Sequence, residues 1–405
     1  VSTTEYPAEQ FQSVEVLSGL AGSLYGPANP AGMFNLVSKR PTDTPLHRVT
    51  VGGSTGNGTL TSMDFSGPID DGDRVKYRLN LLNDEGHGYT SGSHKRRQYA
   101  GLGLDFQLTD KTVLESNFSY YHYYEKGMAG SFALAKGVHF PSPLDATKAK
   151  YGQRYAGNDD ETSTASLHLK HDFDGNWLLD VGVLRQIADR ESTTVTNGLN
   201  DNHGNYTTKT SNSAASRFTI NSYMANLTGS VDTGWLTHDI STGVRGFVWK
   251  NYNPVDGGTF TLGSSSLDQH PVYPRPPYPD FNKRYQSATT TQHAFLLSDT
   301  LHFSPQWSLL LSGSENLFTV SNYNKTGKQT SDKKDSGASG SASLMYKPID
   351  NTTLYTTWAD SMQQGDTAPS GANNAGQILD PYRSHQVEVG AKYAPMRDLM
   401  LSAAL

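Results

Sequence analysis

Apolar and polar side chains alternate strictly in the stretch Val75-Lys76-Tyr77-Arg78-Leu79-Asn80-Leu81. Successive side chains of an extended strand point to opposite faces. One face of this stretch is therefore apolar, and the other carries Lys, Arg and Asn. Full charges must face water, whereas the apolar face must lie against lipid or a protein core.

The same alternation recurs along most of the chain, for example in residues 99–106, 165–170 and 386–392. These predicted strands run for about 9–16 residues, longer than the ~5–6 residues usual in soluble sheets and suited to a tilted membrane crossing. If they cross a membrane, Val75 and Leu104 should lie with Leu79 on the outer face of the sheet.

The composition also favours strands. The chain contains 39 Gly and 22 Tyr, and its mean hydropathy is only -0.57 because every second side chain is polar. A barrel has the same low average, since only alternate residues face lipid. The absence of Cys excludes disulfides and thiolate metal sites. A net charge of -6 argues against a nucleic-acid-binding protein.

The connections between strands alternate in length. Short connections carry the Asp, Gly, Asn and Pro of tight turns, and long ones fall between them. Short periplasmic turns and long extracellular loops are typical of an outer-membrane barrel. A soluble sandwich rarely keeps its long loops at one end, and a propeller would repeat every ~40–50 residues. We expect the long loops at roughly 126–160, 191–214, 251–285, 321–336 and 364–382.

We therefore predict an all-β fold, a transmembrane antiparallel β-barrel with about fifteen strands in this sequence. The last predicted strand, 399–405, stops in mid-strand. A closed bacterial barrel has an even number of strands, and an open edge in lipid leaves backbone groups unsatisfied. On this ground we expect the natural protein to continue past Leu405.

The first ~42 residues differ from the rest, because Gly, Ala and Pro alternate there with short apolar pieces. Residues 14–26 read VEVLSGLAGSLYG, residues 29–32 read NPAG and residues 35–41 read NLVSKRP. These motifs resemble the end of the plug domain of TonB-dependent siderophore receptors, where the pattern is close to EVLRGPAxxLYG, PGG and NLVTKRP.

Two later stretches are similar to the same family. YKP at 346–348 with 354–361 resembles one strand pair, and LDP at 379–381 with VEVGAKY at 387–393 resembles another strand. The resemblance runs through the whole chain in order and is greatest to the ferric hydroxamate branch. It implies a barrel of about 22 strands. Residues 1–44 would be the C-terminal part of the plug, and residues 45–405 an incomplete wall.

The resemblance also implies a function. A ferric siderophore would bind among the extracellular loops, and TonB with its inner-membrane energising complex would pull an N-terminal box outside this sequence. The plug would rearrange and the chelate would pass. The family is monomeric, spans the outer membrane of Gram-negative bacteria many times and contacts lipid and lipopolysaccharide. No enzyme activity, catalytic residue, nucleic-acid partner or cofactor is expected, since iron travels as the ferric siderophore.

One departure from the family pattern concerns the plug latch. The family usually has Arg where Ser18 stands and Pro where Leu20 stands. That Arg pairs with carboxylates of the inner wall, and Glu388 matches one of these positions. With Ser18 in place, either the latch is altered or an Arg outside this sequence supplies the charge.

Ligand residues are predicted from physical chemistry alone. Aromatic side chains cover apolar, polarisable ligands, and a few polar groups anchor them. The proline-rich loop 270–279 is the most distinctive candidate, and Tyr near strand ends can alternatively form an interfacial girdle. The predicted ligand-binding residues are Tyr25, Tyr123, Tyr124, Phe132, Tyr206, Tyr252, Tyr273, Arg275 and Tyr278.

Other sites are weaker. A G-x-S-x-G pattern at residues 52–56 sits in a predicted hairpin tip, not in the strand-to-helix turn that a nucleophile needs. The acidic run 159–161 fits either a cation site or a solvated loop end. The basic run 95–97 fits an anion or lipopolysaccharide contact, or a solvated rim. No histidine metal site is predicted.

Three alternative functions stay open from the sequence. The first is TonB-dependent import of cobalamin, haem or an oligosaccharide. The second is a barrel enzyme, and the third is a porin or adhesin without a plug. Whether residues 1–42 lie inside the barrel separates the plugged receptors from the other two.

Overall fold

The computed structural model describes residues 5–54, 57–145, 147–148, 151–212, 216–369 and 371–405. Thr55 and Gly56 of the G-x-S-x-G pattern lie outside these residues. The described chain has one short helix, α1 (Gly22–Tyr25), and one 3-10 turn (Ala8–Gln10). No helix in it is long and apolar enough to cross a membrane.

Twenty strands make up the rest of the regular structure. They are β1 (Phe11–Ser18), β2 (Gly32–Ser38), β3 (Leu46–Ser54), β4 (Gly58–Pro68), β5 (Val75–Gly86), β6 (His94–Thr109), β7 (Thr112–Lys126), β8 (Ser131–Leu134), β9 (Gly157–Phe173), β10 (Trp177–Leu199), β11 (Asn205–Ser211), β12 (Arg217–Thr233), β13 (Leu236–Pro254), β14 (Thr259–Ser266), β15 (Arg284–His302), β16 (Trp307–Tyr323), β17 (Gln329–Ile349), β18 (Thr352–Gln363), β19 (Tyr382–Met396) and β20 (Leu399–Ala404).

One antiparallel sheet, called the wall, contains all the strands from β3 to β20 except the short strands β8, β11 and β14. The wall thus has 15 strands, which confirms the expected number. It curls so that its end strands β20 and β3 become neighbours in the strand order of a barrel. The register pairs described for residues 5–405 join the successive wall strands and do not include a β20–β3 pair.

Alternation divides the wall into two faces. Leu79 pairs with Leu102, and Leu104 pairs with Tyr77 on the same face. Leu81 and Leu102 are exposed there. On the opposite face, Arg78 and Asn80 are buried. The register therefore confirms that Val75, Leu79 and Leu104 share the outer, apolar face, and the inner face is polar.

The connections lie at two rims. Those at one rim are tight, as at residues 110–111, 234–235 and 397–398. The opposite, long-loop rim carries the connections 127–156, 200–216, 255–283 and 364–381. The expected loop at 321–336 is wrong, because β16 and β17 continue as a ladder to a turn at 324–328. The strand β10 likewise continues through 191–199, where pairing with β9 and β11 replaces the expected loop.

A second, smaller sheet rises above the long-loop rim. It consists of β8, the end of β10, β11 and β14. We call it the rim sheet. Since β10 belongs to both sheets, the rim sheet is a direct extension of the wall.

The residues before β3, called the N-terminal segment (residues 5–45), form the hairpin β1–β2 with α1 between its strands. The segment touches inner-face side chains as far apart as Asp64 on β4 and Gln386 on β19. Its Tyr6 also bonds to Gln186 on β10. A single short segment reaches both ends of the wall only because the wall curves around it.

The face assignment is testable at Leu104, near the middle of β6. Leu104→Arg should lower the free energy of unfolding in lipid vesicles by about 2–4 kcal/mol, because a charge is moved into the apolar zone. Leu104→Ile, which keeps the side chain apolar, should cost less than about 1.5 kcal/mol. Equal losses for the two variants in urea unfolding would contradict the assignment.

Candidate ligand-binding site

The N-terminal segment is attached at one side by charged groups. The Arg40 guanidinium pairs with Asp105 on β6, lies 3.8 Å from a Glu115 carboxylate oxygen, and donates to Asn117 Oδ1 at 3.0 Å. Burial lowers the pKa of Arg40, and Glu115 opposes this shift. Arg remains charged nonetheless, so the contact is an ion-pair anchor next to the start of the wall.

A second anchor adjoins the first. Lys39 Nζ lies 3.2 Å from Asp64, and the same carboxylate accepts a 2.8 Å bond from Arg78 of β5. Nearer the start of the segment, a carboxylate oxygen of Glu9 lies 3.4 Å from a guanidinium nitrogen of Arg97 on β6. Strands β4 to β7 therefore hold the segment through charged groups that are at most partly exposed.

The opposite side of the segment has no ion pair among its described contacts. Ser312 on β16 donates to Ser23 on α1 at 2.8 Å, and Ser23 donates to Ser341 on β17 at 3.0 Å. Backbone and wall are very close, since a Cβ built on Gly22 would lie 2.4 Å from Ser361 Oγ. Glycine permits this close approach because it has no side chain, and hydrogen bonds between neutral hydroxyl groups hold α1 against the wall.

Glu388 lies on the inner face, where the sequence placed the latch carboxylate. It accepts bonds from Tyr355 OH at 2.6 Å and from Gln386 Nε2 at 2.9 Å. Gln386 Oε1 in turn accepts the backbone N–H of Leu20 at 3.3 Å. In the described residues the link from Glu388 to the segment therefore runs through a glutamine to a backbone amide.

Tyr25 closes α1 and faces the wall. The Arg245 guanidinium lies 5.2 Å from its ring centre, in cation–π contact. A cavity of about 330 Å³ adjoins both side chains and is lined also by His168, Met224 and Gln292. Of the predicted ligand residues, Tyr25 belongs to the segment itself and borders this cavity.

Phe132 and Tyr206 come together on one side of the rim sheet. Their ring centres are 6.4 Å apart, and Tyr151 lies 5.2 Å from Phe132 and 6.5 Å from Tyr206. His270 stacks edge-on against Tyr151. Tyr206 is only 1% exposed, and burial raises the pKa of Tyr151. This cluster is a small core that joins three loops.

The proline-rich loop packs against the same side of the rim sheet. Tyr273 lies over Gly263, where a Cβ would come within 2.6 Å of the ring. Tyr278 accepts a 2.6 Å bond from Thr193 of β10, and Arg275 stacks on Tyr278 at 3.5 Å. Tyr273 and Tyr278 therefore brace the sheet, while Arg275 is exposed at the loop surface.

The remaining predicted residues fall on different faces. Tyr123 is buried on the inner face with Tyr99 and Tyr121. Tyr124, next in sequence, lies on the outer face in contact with the Arg96 guanidinium. Tyr252 also lies outward, because it pairs with Arg217, on the face continuous with the exposed leucines of β9. Tyr124 and Tyr252 thus face outward near the ends of their strands, where an interfacial girdle would lie.

The acidic run 159–161 is divided in the same way. Asp160 is buried on the inner face, whereas Asp159 contacts His122 at 2.7 Å on the outer face. In the described ranges, no group of three or more His, Asp or Glu is placed to hold a metal ion. The basic run 95–97 alternates too, since Lys95 covers Tyr123 and Arg97 binds Asp84 on the inner face, whereas Arg96 covers Tyr124 on the outer face.

Sequence reasoning missed three residues that organise this region. Tyr151 lies in a long connection without periodicity, so no pattern singled it out. Gln386 and Arg245 belong to wall strands, and their inward parity was available from the alternation. Their partners in the N-terminal segment are distant in sequence, and only the fold brings them together.

Comparisons with known proteins agree with this architecture. The family model of TonB dependent receptor-like β-barrels matches residues 135–405. The ferrioxamine B receptor of Salmonella typhimurium is 25% identical, over 95% of this chain and 54% of the relative. The ferrichrome receptor FcuA of Yersinia enterocolitica is also 25% identical, over 95% of this chain and 52% of the relative.

Among solved structures, the pyoverdine receptor FpvA of Pseudomonas aeruginosa, bound to pyoverdine, superposes with a TM-score of 0.82 at 18% identity. The match covers 98% of this chain and 58% of that chain. At this identity the likeness concerns the fold. The chain spans about half the length of the curated relatives it matches.

The charged anchor can be tested at Arg40. Arg40→Ala should raise the amide hydrogen-exchange rate of residues 39–42, because Asp105 loses its ion-pair partner, whereas Glu115 keeps Lys170. The anchor should weaken by about 1–3 kcal/mol. Arg48→Ala, on an exposed position of β3, is the matched control and should leave these amides unchanged. Unaltered exchange in Arg40→Ala would show that the ion pairs do not hold the segment.

The aromatic core can be tested at Tyr151. Tyr151→Ala should destabilise the packing of the connections 127–156 and 255–283 by about 3–5 kcal/mol, as large aromatic truncations do. Tyr151→Phe removes only the 3.0 Å bond to the Leu267 carbonyl and should cost about 1 kcal/mol. Trypsin cleavage after Arg154 and Lys283 measures the loosening, and resistance of both variants would contradict the core.

Proposed function

Because the chain belongs to the TonB dependent receptor-like β-barrel family, we propose that it forms part of an outer-membrane receptor that imports a ferric siderophore. The relatives named as ferrioxamine and ferrichrome receptors support this choice of cargo. We assign residues 1–44 to the C-terminal part of the plug and residues 45–405 to the wall. The apolar outer face would meet lipid and lipopolysaccharide.

The observation that carries the proposal is the position of the N-terminal segment. It touches the inner face from β4 to β19. A barrel of this width would otherwise enclose an aqueous channel. A segment held across that space by many small contacts is expected of a gated importer, whereas a porin needs the space open.

The contacts also suggest how the segment moves. The neutral bonds of α1 contribute about 0.5–1.5 kcal/mol each, and bonds to charged groups contribute more. Force applied through TonB would therefore release the α1 side from β16 and β17 first. The Arg40 side, joined covalently to β3 shortly after the anchor, would stay in place.

The receptor would work by binding and movement, without bond chemistry. The family is one of transport receptors, and the iron would be cargo. Tyr25 is the predicted ligand residue best placed to meet a chelate at the segment, since its ring borders the cavity next to Arg245. Burial and the nearby Glu125 raise the pKa of Glu5 at the start of the segment.

The test is a titration of the full-length receptor, followed by its intrinsic fluorescence. The panel comprises a ferric trihydroxamate, a ferric triscatecholate, haem and cobalamin. Saturable quenching with a sub-micromolar Kd by a ferric siderophore is expected, and its iron-free form should bind more weakly. If no iron chelate quenches the fluorescence and cobalamin does so saturably, the receptor imports a different cargo and the siderophore proposal is wrong.

A further inference from the structure

The rim sheet has two faces of very different character. On one face Asn197, Leu199 and Tyr206 are each 1% exposed beneath the loops around Tyr151. The other face is open and consists mostly of hydroxyl side chains. Its members include Ser131, Thr194, Thr196, Thr207, Lys209 and Ser264.

The open face is continuous with the inner face of the wall. Even-numbered residues of β10 share one side of that strand, and among them Gln186 bonds to Tyr6 of the N-terminal segment at 3.0 Å. Thr194 and Thr196 lie further along the same side, beyond the rim. The open face therefore lines the approach to the space that the segment occupies.

The open face has hydrogen-bonding capacity to spare. Ser131 Oγ and Thr196 Oγ1 are 3.0 Å apart, and Thr207 Oγ1 and Ser264 Oγ are 3.2 Å apart. Each hydroxyl donates one bond and accepts two, so each pair keeps free positions for a ligand. Four strands about 4.8 Å apart give a surface roughly 14 Å wide.

The charge of this surface restricts its ligand. In the described residues of the four strands, the open-face positions carry no carboxylate and no aromatic ring, and Lys209 is their one cation. The aromatic rings of this region lie on the covered face, in the core. An anionic ligand with an aromatic exterior would therefore find one positive charge and no ring to stack against.

We propose that the open face of the rim sheet recognises an uncharged ferric chelate with an amide- and hydroxyl-rich exterior, of the trihydroxamate class. Three hydroxamates cancel the charge of one ferric ion, whereas three catecholates leave the complex an anion. Hydroxyl side chains complement the neutral amide surface by hydrogen bonds, and they do so at the mouth of the transport path. This inference rests on the proposed function and specifies its cargo.

The experiment compares the binding of ferrichrome, a neutral trihydroxamate, with that of a ferric triscatecholate to the full-length receptor. Thr196→Val and Thr207→Val keep the side-chain shape and remove one hydroxyl. Each should weaken ferrichrome binding about 3- to 10-fold, the equivalent of one hydrogen bond. Thr196→Ser keeps the hydroxyl, and Thr326→Val lies in a different turn of the same rim. These controls should stay within about 2-fold of the unaltered receptor.

A second measurement needs no variant and is unaffected by misfolding. Saturating ferrichrome should slow amide hydrogen exchange in residues 194–198 and 205–211 of the unaltered receptor. The proposal is overturned if ferrichrome binds without protecting these strands, if both valine variants bind it normally, or if the triscatecholate is preferred. Each of these results leaves siderophore import standing. Binding of no iron chelate at all would remove the proposed function itself.

Discussion

A chain that crosses a bilayer in the extended form must satisfy every backbone N–H and C=O within the protein, because lipid offers no partners. The wall meets this demand between its successive strands, which form antiparallel ladders from β3 to β20. The same strand geometry sends alternate side chains to opposite faces. One constraint on the backbone therefore fixes an apolar outside and a polar inside, and the polar inside determines what can be held there.

The N-terminal segment is held by groups that this polar inner face supplies. Polar contacts lose little when broken in the presence of water, which can replace each partner. An apolar core would have to be exposed as the segment moved, at a cost that scales with area. An interface of hydroxyl groups and ion pairs is thus stable enough to keep the N-terminal segment inside the wall, and an applied force can still separate the two. Its uneven distribution, with Arg40 at one side and Ser23 at the other, gives the separation a direction.

The wall could be predicted from the sequence because alternation of apolar and polar residues and the residue types of tight turns are both local patterns. Period-two alternation placed Val75, Leu79 and Leu104 on the outer face, and turn residues marked the short connections. The rim sheet could not be predicted in this way, since β8 pairs with the end of β10 across a long connection and the hairpin of β10 and β11 shows no apolar alternation. Residues 191–199 therefore looked like loop although they form strand.

The site residues illustrate the same limit. Aromatic content singled out Phe132 and Tyr206, but content carries no information about which face of an unrecognised strand a ring will occupy. Alternation along β7 would have assigned Tyr123 and Tyr124 to opposite faces, because consecutive residues of a strand cannot both face inward. Ser18 indicated that the latch is altered or that an Arg elsewhere supplies its charge, and this stays a prediction. The contact through Gln386 depends on an approach of distant chain segments that no local pattern encodes.

The length of β10 links the two sheets and explains the arrangement of aromatics. A tilted strand needs about 9–11 residues to cross the bilayer, and β10 has 23. Its remainder stands in water, where neither face is covered by lipid and a strand needs its own core to persist. The loops around Tyr151 supply that core on one face only. The other face must then be compatible with water, and the one-sided packing of the rings leaves a hydroxyl surface at the mouth of the wall.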